Sequence, residues 1–103
     1  MATFTGKRYM TSGIHNEIPL AYQIIMWGMI DTDKNTKKEL DYLQIFELKP
    51  KYENGKNYQV ITKRQEQPRR QSVKIIDSDN PISAKILVID DISHVTMLLN
   101  HEY

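Results

Sequence analysis

The stretch from Gly13 to Asp31, GIHNEIPLAYQIIMWGMID, constrains the fold most. It is the longest apolar run of the chain and contains its only tryptophan. Its apolar side chains recur with the four-three-four spacing of one helical face, which predicts an amphipathic helix. We expect one main helix from Pro19 to about Asp33, with the proline in the first turn, where it costs no hydrogen bond. The residues of the first face are Ile18, Tyr22, Ile25 and Met29.

This predicted helix lacks the polar stripe that a helix on a sheet surface normally presents to water. A second apolar row lies beside the first, at Leu20, Ile24 and Trp27. Between Ile18 and Ile30 the polar side chains are only Gln23 and the hydroxyl group of Tyr22. The helix is therefore either covered on both sides or carries an interaction surface. Gln23 fits a hydrogen-bonded core amide as well as a functional residue.

The remaining chain is typical of β-strands. Asn54-Gly55 is the clearest signal, because both central residues of a type I′ hairpin turn need positive φ. We expect Pro50 to end the strand before that turn and the polar run Gln65–Gln71 to form a loop or a broken edge. The apolar strand Ser83–Asp90 should be central and covered on both faces. The predicted strands are Lys7–Thr11, Asp41–Lys49, Asn57–Lys63, Ser72–Asp77, Ser83–Asp90 and His94–Asn100. For His94–Asn100 a helix is the alternative, and Val95-Thr96 favours the strand.

These elements predict an α+β fold, in which one helix of about residues 19–33 packs on a mostly antiparallel sheet of five to six strands. A chain of 103 residues suits a single domain over residues 1–103. Its lack of cysteine excludes disulfides and thiolate chemistry. The run Ile18–Ile30 is shorter than the roughly 20 residues of a membrane span, and the N-terminus lacks a signal-peptide pattern. We therefore expect a cytoplasmic protein that does not contact membranes.

Basic residues concentrate in the middle of the chain. Residues 49–75 contain 8 basic and 2 acidic side chains, a local charge of 8 − 2 = +6, although the whole chain carries only +1. Lysine and arginine neutralise phosphates, and nearby tyrosines can stack on unpaired bases. Nucleic-acid binding through the hairpin 49–74 is therefore one hypothesis. Lysines that protect an edge strand are its alternative. The candidate contacts are Lys51, Lys63, Arg64, Arg69, Arg70 and Lys74.

Motifs for catalysis, cofactors or metals are absent from the sequence. It contains no G-x-S-x-G elbow, no dinucleotide-binding or P-loop glycine pattern and no H-x-x-x-H pair. Four aspartates could meet if their strands paired, yet they lack the further ligands of a calcium loop. We expect no catalytic residue, no metal and no cofactor, and an enzyme is the class that the sequence supports least. The four aspartates are Asp77, Asp79, Asp90 and Asp91.

Three segments resemble a family of small uncharacterised proteins from Gram-positive bacteria and their phages, domain of unknown function nine-six-zero. They are Tyr9–Pro19 (YMTSGIHNEIP), Trp27–Asp31, and Thr96–Tyr103 (TMLLNHEY). The family pattern often has a glycine after the paired aspartates, where this chain has Ile92. The resemblance implies a small cytoplasmic protein of phage or mobile-element origin and assigns no activity.

Protein interaction is the function that this evidence favours. The hypothesis is a non-enzymatic module that forms a homodimer or binds a host protein. The contact would use the second apolar row of the helix, Leu20, Ile24 and Trp27, or an exposed sheet edge. Nucleic-acid binding is the alternative.

Overall fold

The computed structural model describes residues 2–103, which form two helices and a six-stranded sheet. The elements are β1 (Lys7–Met10), α1 (Ser12–Glu17), α2 (Leu20–Asn35), β2 (Leu43–Glu53), β3 (Lys56–Glu66), β4 (Arg69–Asp77), β5 (Ala84–Asp90) and β6 (His94–Leu99). A short 3₁₀ turn, Asn100–Glu102, ends the chain. The predicted α+β class is confirmed, with a main helix of 16 residues.

The sheet has the strand order β1-β6-β5-β2-β3-β4. Neighbouring strands are antiparallel except β1 and β6, which are parallel. The sheet is therefore mostly antiparallel, as predicted. The predicted tail strand is also confirmed, since β6 returns beside β5.

The two faces of the sheet differ in what covers them. On the helix-covered face, Phe46, Ile61, Ile86 and Met97 pack with Met26 and Ile30 of α2 in the main core. The other side, which we call the open face, has a cross-strand row of Ile45, Leu87 and Leu98. These three residues are buried and form a second, smaller apolar cluster. The prediction that β5 is central is confirmed, and it has buried side chains on both faces. On the open face the neighbouring side chains bury Leu87.

The helical region begins earlier than predicted and is divided in two. The side chain of Thr11 caps α1 by accepting a hydrogen bond from Ile14 N (3.2 Å). This short helix ends at Glu17 with Ile18 as its C-cap, and Pro19 then occupies the N-cap position of α2 rather than its first turn. The main helix consequently runs from Leu20 to Asn35, not from Pro19 to about Asp33.

Of two predicted interruptions of the sheet, one does not occur and the other is shorter than predicted. β2 continues through Pro50, which pairs with Gln59. The strand tolerates a proline there because the pairing of β2 with β5 ends at Leu48. On that side, therefore, Pro50 has no paired strand to which an N–H group would donate. The predicted Gln65–Gln71 loop is also shorter, since β3 and β4 are separated by Gln67 and Pro68 alone. The predicted hairpin turn is confirmed, with φ of 52° at Asn54 and 78° at Gly55.

The start of α1 and the C-terminal 3₁₀ turn are joined by a polar contact. One carboxylate oxygen of Glu102 accepts hydrogen bonds from the hydroxyl group of Thr11 (2.7 Å) and from Leu99 N (2.8 Å). Gly13 lies against the same group, because a Cβ placed there would come within 2.7 Å of Glu102 Oε2 and 2.9 Å of Leu99 Cδ1. The segments around Thr11 and Glu102, which resemble the family, are thus packed together in space.

Among residues 2–103, no helix is both long enough and apolar enough to cross a membrane.

Candidate functional site

The outer side of α2 is the most prominent apolar surface of the helices. The inner side of α2 places Tyr22, Met26, Met29 and Ile30 in the core, at helical spacing. Gln23 is also buried, and its amide nitrogen donates to Ile18 O (2.9 Å), which confirms the core-amide interpretation. The helix is therefore held from one side.

The side of α2 that faces solvent carries an apolar stripe. Leu20 is 64% exposed and Ile24 is 61% exposed. Ala21 and Gly28 are exposed beside them, and nothing lies within 4 Å of the position that a Cβ of Gly28 would take. We call these four residues the α2 stripe. No residue between Leu20 and Ile30 is charged, so the stripe has no polar cover of its own.

Trp27 differs from the other two predicted contact residues. Its side chain is partly buried against the main core. The guanidinium carbon of Arg8 lies 4.7 Å from the ring centre, a cation–π contact. Arg8 also pairs with Asp31 on the next turn of the helix. Trp27 therefore forms the edge of the α2 stripe, while Leu20 and Ile24 form its exposed centre.

The six predicted nucleic-acid contacts are divided between the two faces of the sheet. The strand register places one group on the open face and the other on the helix-covered face. Because successive side chains of a strand point to opposite faces, proximity in sequence does not bring the six together. The open face has Lys51, Arg64 and Arg69, and the helix-covered face has Lys63, Arg70 and Lys74.

Several of these cations already have anionic partners. Lys51 lies 3.0 Å from Glu53, and Arg64 lies 3.5 Å from Glu47. Lys63 is only 2% exposed, so a phosphate has no access to its ammonium group. The structure thus places Lys63 in the protein interior rather than on the predicted binding surface.

The buried Lys63 is the centre of a polar network beneath the end of α2. Its ammonium nitrogen lies 2.6 Å from Asp33 Oδ2 and donates to Gln44 Oε1 (3.0 Å). Gln44 donates in turn to Gln65 Oε1 (2.9 Å). Arg70 closes the network from outside by donating to the carbonyl oxygen of Glu39 (2.8 Å). The alternation of β3 contained a signal for this network, since Gln59, Lys63 and Gln65 share a face with the buried Ile61.

The turn between β5 and β6 brings together a serine, a histidine and an aspartate that the sequence analysis did not single out as a group. Ser93 Oγ lies 2.9 Å from His94 Nδ1, and His94 Nε2 lies 3.0 Å from Asp91 Oδ2. An acyl-transfer site also needs free N–H donors for an oxyanion. Here the N–H groups of Ile92 and His94 donate to Asp90 Oδ1 and Asp91 Oδ1, both at 2.9 Å. The group therefore stabilises a turn.

The charge state of this turn follows from the same hydrogen bonds. The backbone N–H of His94 lowers the pKa of Asp91, and the hydroxyl group of Ser93 contributes in the same direction. Both donors favour the carboxylate form. Asp91 therefore serves as a charged acceptor within the turn.

The four aspartates considered for a metal site do not meet. Asp77 ends β4 next to Tyr58, whereas Asp90 lies beside Tyr42 at the opposite end of the sheet. The Asp90 carboxylate accepts hydrogen bonds from Phe4 N and Ile92 N, both at 2.9 Å. Within residues 2–103, no group of three or more histidine, aspartate or glutamate side chains is arranged to hold a metal ion. The aspartates could meet only if β4 and β5 paired, and these two strands are not neighbours in the sheet.

Comparisons with known proteins identify the family. The sequence profile described as "Staphylococcal protein of unknown function (DUF960)" matches residues 7–102. The chain belongs to this family.

A solved structure supports the fold. It is described as "Crystal structure of the protein of unknown function from Enterococcus faecalis". That protein is 25% identical to this chain, with a TM-score of 0.73, and the match covers 100% of this chain and 97% of that one. A comparison with curated proteins found no match. The family resemblance is confirmed. The descriptions of the family and of the solved structure both give the function as unknown.

Proposed function

We propose that this chain is a non-enzymatic protein-interaction module that binds a partner through the α2 stripe. The observation that carries the proposal is the exposure of Leu20 and Ile24, 64% and 61%, on a helix segment without charge. Single exposed apolar residues are common on protein surfaces. Two large ones on successive turns, flanked by Ala21 and Gly28, favour a contact surface instead.

The energetics suit a reversible contact. Covering the exposed parts of Leu20 and Ile24 would contribute roughly 2–4 kcal/mol, on the scale of about 1.5–3 kcal/mol per fully buried aliphatic side chain. Ala21 and Gly28 add little area, but they let the partner's backbone approach closely. The Arg8–Asp31 pair beside Trp27 supplies polar groups at the rim.

The partner that fits best is the apolar side of a helix in a different protein. From Leu20 to Gly28 the stripe is roughly 12 Å long, at about 1.5 Å per residue. This length suits one short amphipathic helix in a helix-to-helix contact. Obligate homodimers bury much larger surfaces. We propose that this partner is a host protein and that the chain is of phage or mobile-element origin.

The test compares three forms of the chain in pull-downs from the native host, treated with nuclease. The wild type should retain a protein that Leu20→Gln/Ile24→Gln loses. The control is Tyr42→Gln, which replaces an exposed apolar residue (53%) outside both the α2 stripe and β4. Calorimetry with the purified partner should show at least a tenfold weaker affinity for the double variant. Equal affinities for the wild type and the double variant would refute the proposal.

Nucleic-acid binding remains a second candidate because of one recess. Arg64, Arg69 and Arg70 line a surface recess of about 710 Å³ at the turn between β3 and β4. A phosphate bound there would give an affinity that falls steeply with salt. Arg69→Ala should weaken binding and reduce the salt slope, whereas Lys56→Ala, an exposed lysine at the opposite end of β3, should not. Failure to bind single- and double-stranded DNA and RNA at low salt would eliminate this candidate.

A further inference from the structure

β4 forms a long free edge of the sheet. Among residues 2–103 only β3 pairs with this nine-residue strand, whereas the strand at the opposite edge, β1, has four residues. Natural proteins usually protect such edges with prolines, bulges or charged side chains, and β4 has charges at Arg69, Arg70 and Lys74. Within β4 there is no proline, and its pairing with β3 is continuous from Arg69 to Asp77. The backbone of this edge is therefore available only to a strand whose side chains complement these charges.

The hairpin turn determines which backbone groups point outward from β4. In a two-residue type I′ hairpin the residues that flank the turn, Glu53 and Lys56, exchange hydrogen bonds. Alternation then directs the backbone groups of odd-numbered β3 residues toward β4. The hydrogen bond from Ser78 N to Asn57 O (3.2 Å) agrees with this pattern. The odd-numbered residues of β4 consequently point their N–H and C=O groups away from the sheet.

We propose that a second copy of this chain pairs with β4 in antiparallel orientation, with Val73 of each copy on the two-fold axis. This register pairs Arg69 with Asp77 and Gln71 with Ile75 of the other copy. All five outward-pointing residues, which also include Val73, then have partners, and about ten backbone hydrogen bonds form. A shift by two residues in either direction leaves an outward-pointing residue of each copy unpaired.

The side chains favour the same register. The Asp77 side chain is 77% exposed and lies 4.0 Å from Lys56, so it is free to meet a second cation. Arg69 is exposed at the other end of the strand. The proposed pairing places these opposite charges together twice per dimer, and it places Lys74 opposite Ser72. Opposite charges across strands are favourable, and like charges are not.

Apolar exposure gives a further reason for this contact. Val73 is 52% exposed and Ile75 is 50% exposed, and both point to the open face. In the dimer Val73 meets its own copy, and Ile75 covers the stem of Gln71. The result is a twelve-stranded sheet with both α2 helices on one side. The α2 stripe is not part of the contact, so this inference is independent of the proposed function.

The test measures association by sedimentation and uses a proline that the fold itself should tolerate. Because Val73 N points outward, Val73→Pro removes two hydrogen bonds of the dimer, one from each copy, and none to β3. We expect the wild type to dimerise with a dissociation constant below about 100 μM. Val73→Pro should remain monomeric in sedimentation and folded by circular dichroism. A monomeric wild type at that concentration, or a folded Val73→Pro variant that still dimerises, would overturn the inference.

Charge reversal tests the register. Arg69→Asp and Asp77→Arg should each raise the dissociation constant of the dimer by about tenfold, since each places like charges together twice. The double variant should regain the wild-type value. A double variant as weak as the single ones contradicts the register. A wild-type dimer that Leu20→Gln dissociates instead would assign the contact to α2 and also overturn the inference.

Discussion

At the scale of single residues, Ile92 has the backbone conformation that fits its residue type least. Its φ is 82°, and its side chain is 93% exposed. A β-branched residue in this region is strained by about 1–2 kcal/mol. Ile92→Gly should therefore stabilise the fold by about 1 kcal/mol, after the greater chain entropy of glycine in the unfolded state. Urea unfolding measures the change.

The matched control is Ile92→Ala, which removes the exposed side chain but keeps the Cβ that causes the strain. It should change the free energy of unfolding by less than about 0.5 kcal/mol. A glycine variant no more stable than the alanine variant would contradict the strain argument. Glycine is the residue that this φ favours.

Glu102 provides a prediction about acid stability. The backbone N–H of Leu99 and the hydroxyl group of Thr11 lower the pKa of Glu102 below its ordinary value of 4.5. A lowered folded-state pKa means that the carboxylate stabilises the fold above pH 4.5, and that this stabilisation disappears as pH falls through the folded-state pKa. Glu102→Gln should therefore be less stable than the wild type near neutral pH and nearly equal to it in acid.

The measurement is the free energy of unfolding of both chains across this pH range. A difference between them that does not change with pH would exclude the carboxylate charge as its origin. Thr11→Val removes one donor to Glu102 but leaves its charge. In chains that carry Thr11→Val, the effect of Glu102→Gln on the free energy of unfolding should be smaller and should still depend on pH.

At the scale of elements, the two apolar sides of α2 should contribute very differently to the free energy of unfolding. Met26 is completely buried in the main core, whereas Leu20 lies on the α2 stripe. Met26→Ala should cost about 2–5 kcal/mol of unfolding free energy, and Leu20→Ala less than about 1 kcal/mol. Urea unfolding compares the two. A large loss at Leu20 would mean that it contributes to the fold, which would weaken its assignment to a partner.

The sequence could predict elements whose signals are local. The Asn54-Gly55 turn follows from two residues, and the position of α2 from its apolar spacing. The helix α1 could not be predicted in this way. Its six residues include Gly13, a poor helix former, and its support comes from the distant Glu102 and Leu99. The prediction that Pro50 ends a strand was wrong for a related reason. Whether a strand tolerates a proline depends on where the neighbouring strand begins.

At the scale of the whole molecule, strand order decides which charges meet. The sequence grouped Lys63 with the other cations of the hairpin because they are close along the chain. The fold separates them, since alternation turns Lys63 inward and the sheet brings Gln44 beside it. The α2 stripe could be predicted in part, because a missing polar stripe is visible in the sequence. Burial of Trp27 could not, because it depends on contacts with the core.

The buried pair of Lys63 and Asp33 joins the end of α2 to the sheet, and it gives the strongest prediction for stability. Lys63→Met leaves the Asp33 carboxylate in a buried site, with Arg70 3.6 Å away as its remaining cation. Removing one partner of a buried pair usually costs about 3–5 kcal/mol. We expect a loss near the lower end of that range, because Arg70 compensates in part. Chemical denaturation measures the loss.

The double variant Lys63→Met/Asp33→Leu separates the charge from the rest of the network. Without Asp33 no buried carboxylate lacks its partner, so the double variant should regain most of the lost stability. Gln44 then loses its lysine donor but keeps its own donation to Gln65. A double variant as unstable as Lys63→Met alone would mean that hydrogen bonding to Gln44, rather than neutralisation of Asp33, makes Lys63 important for stability.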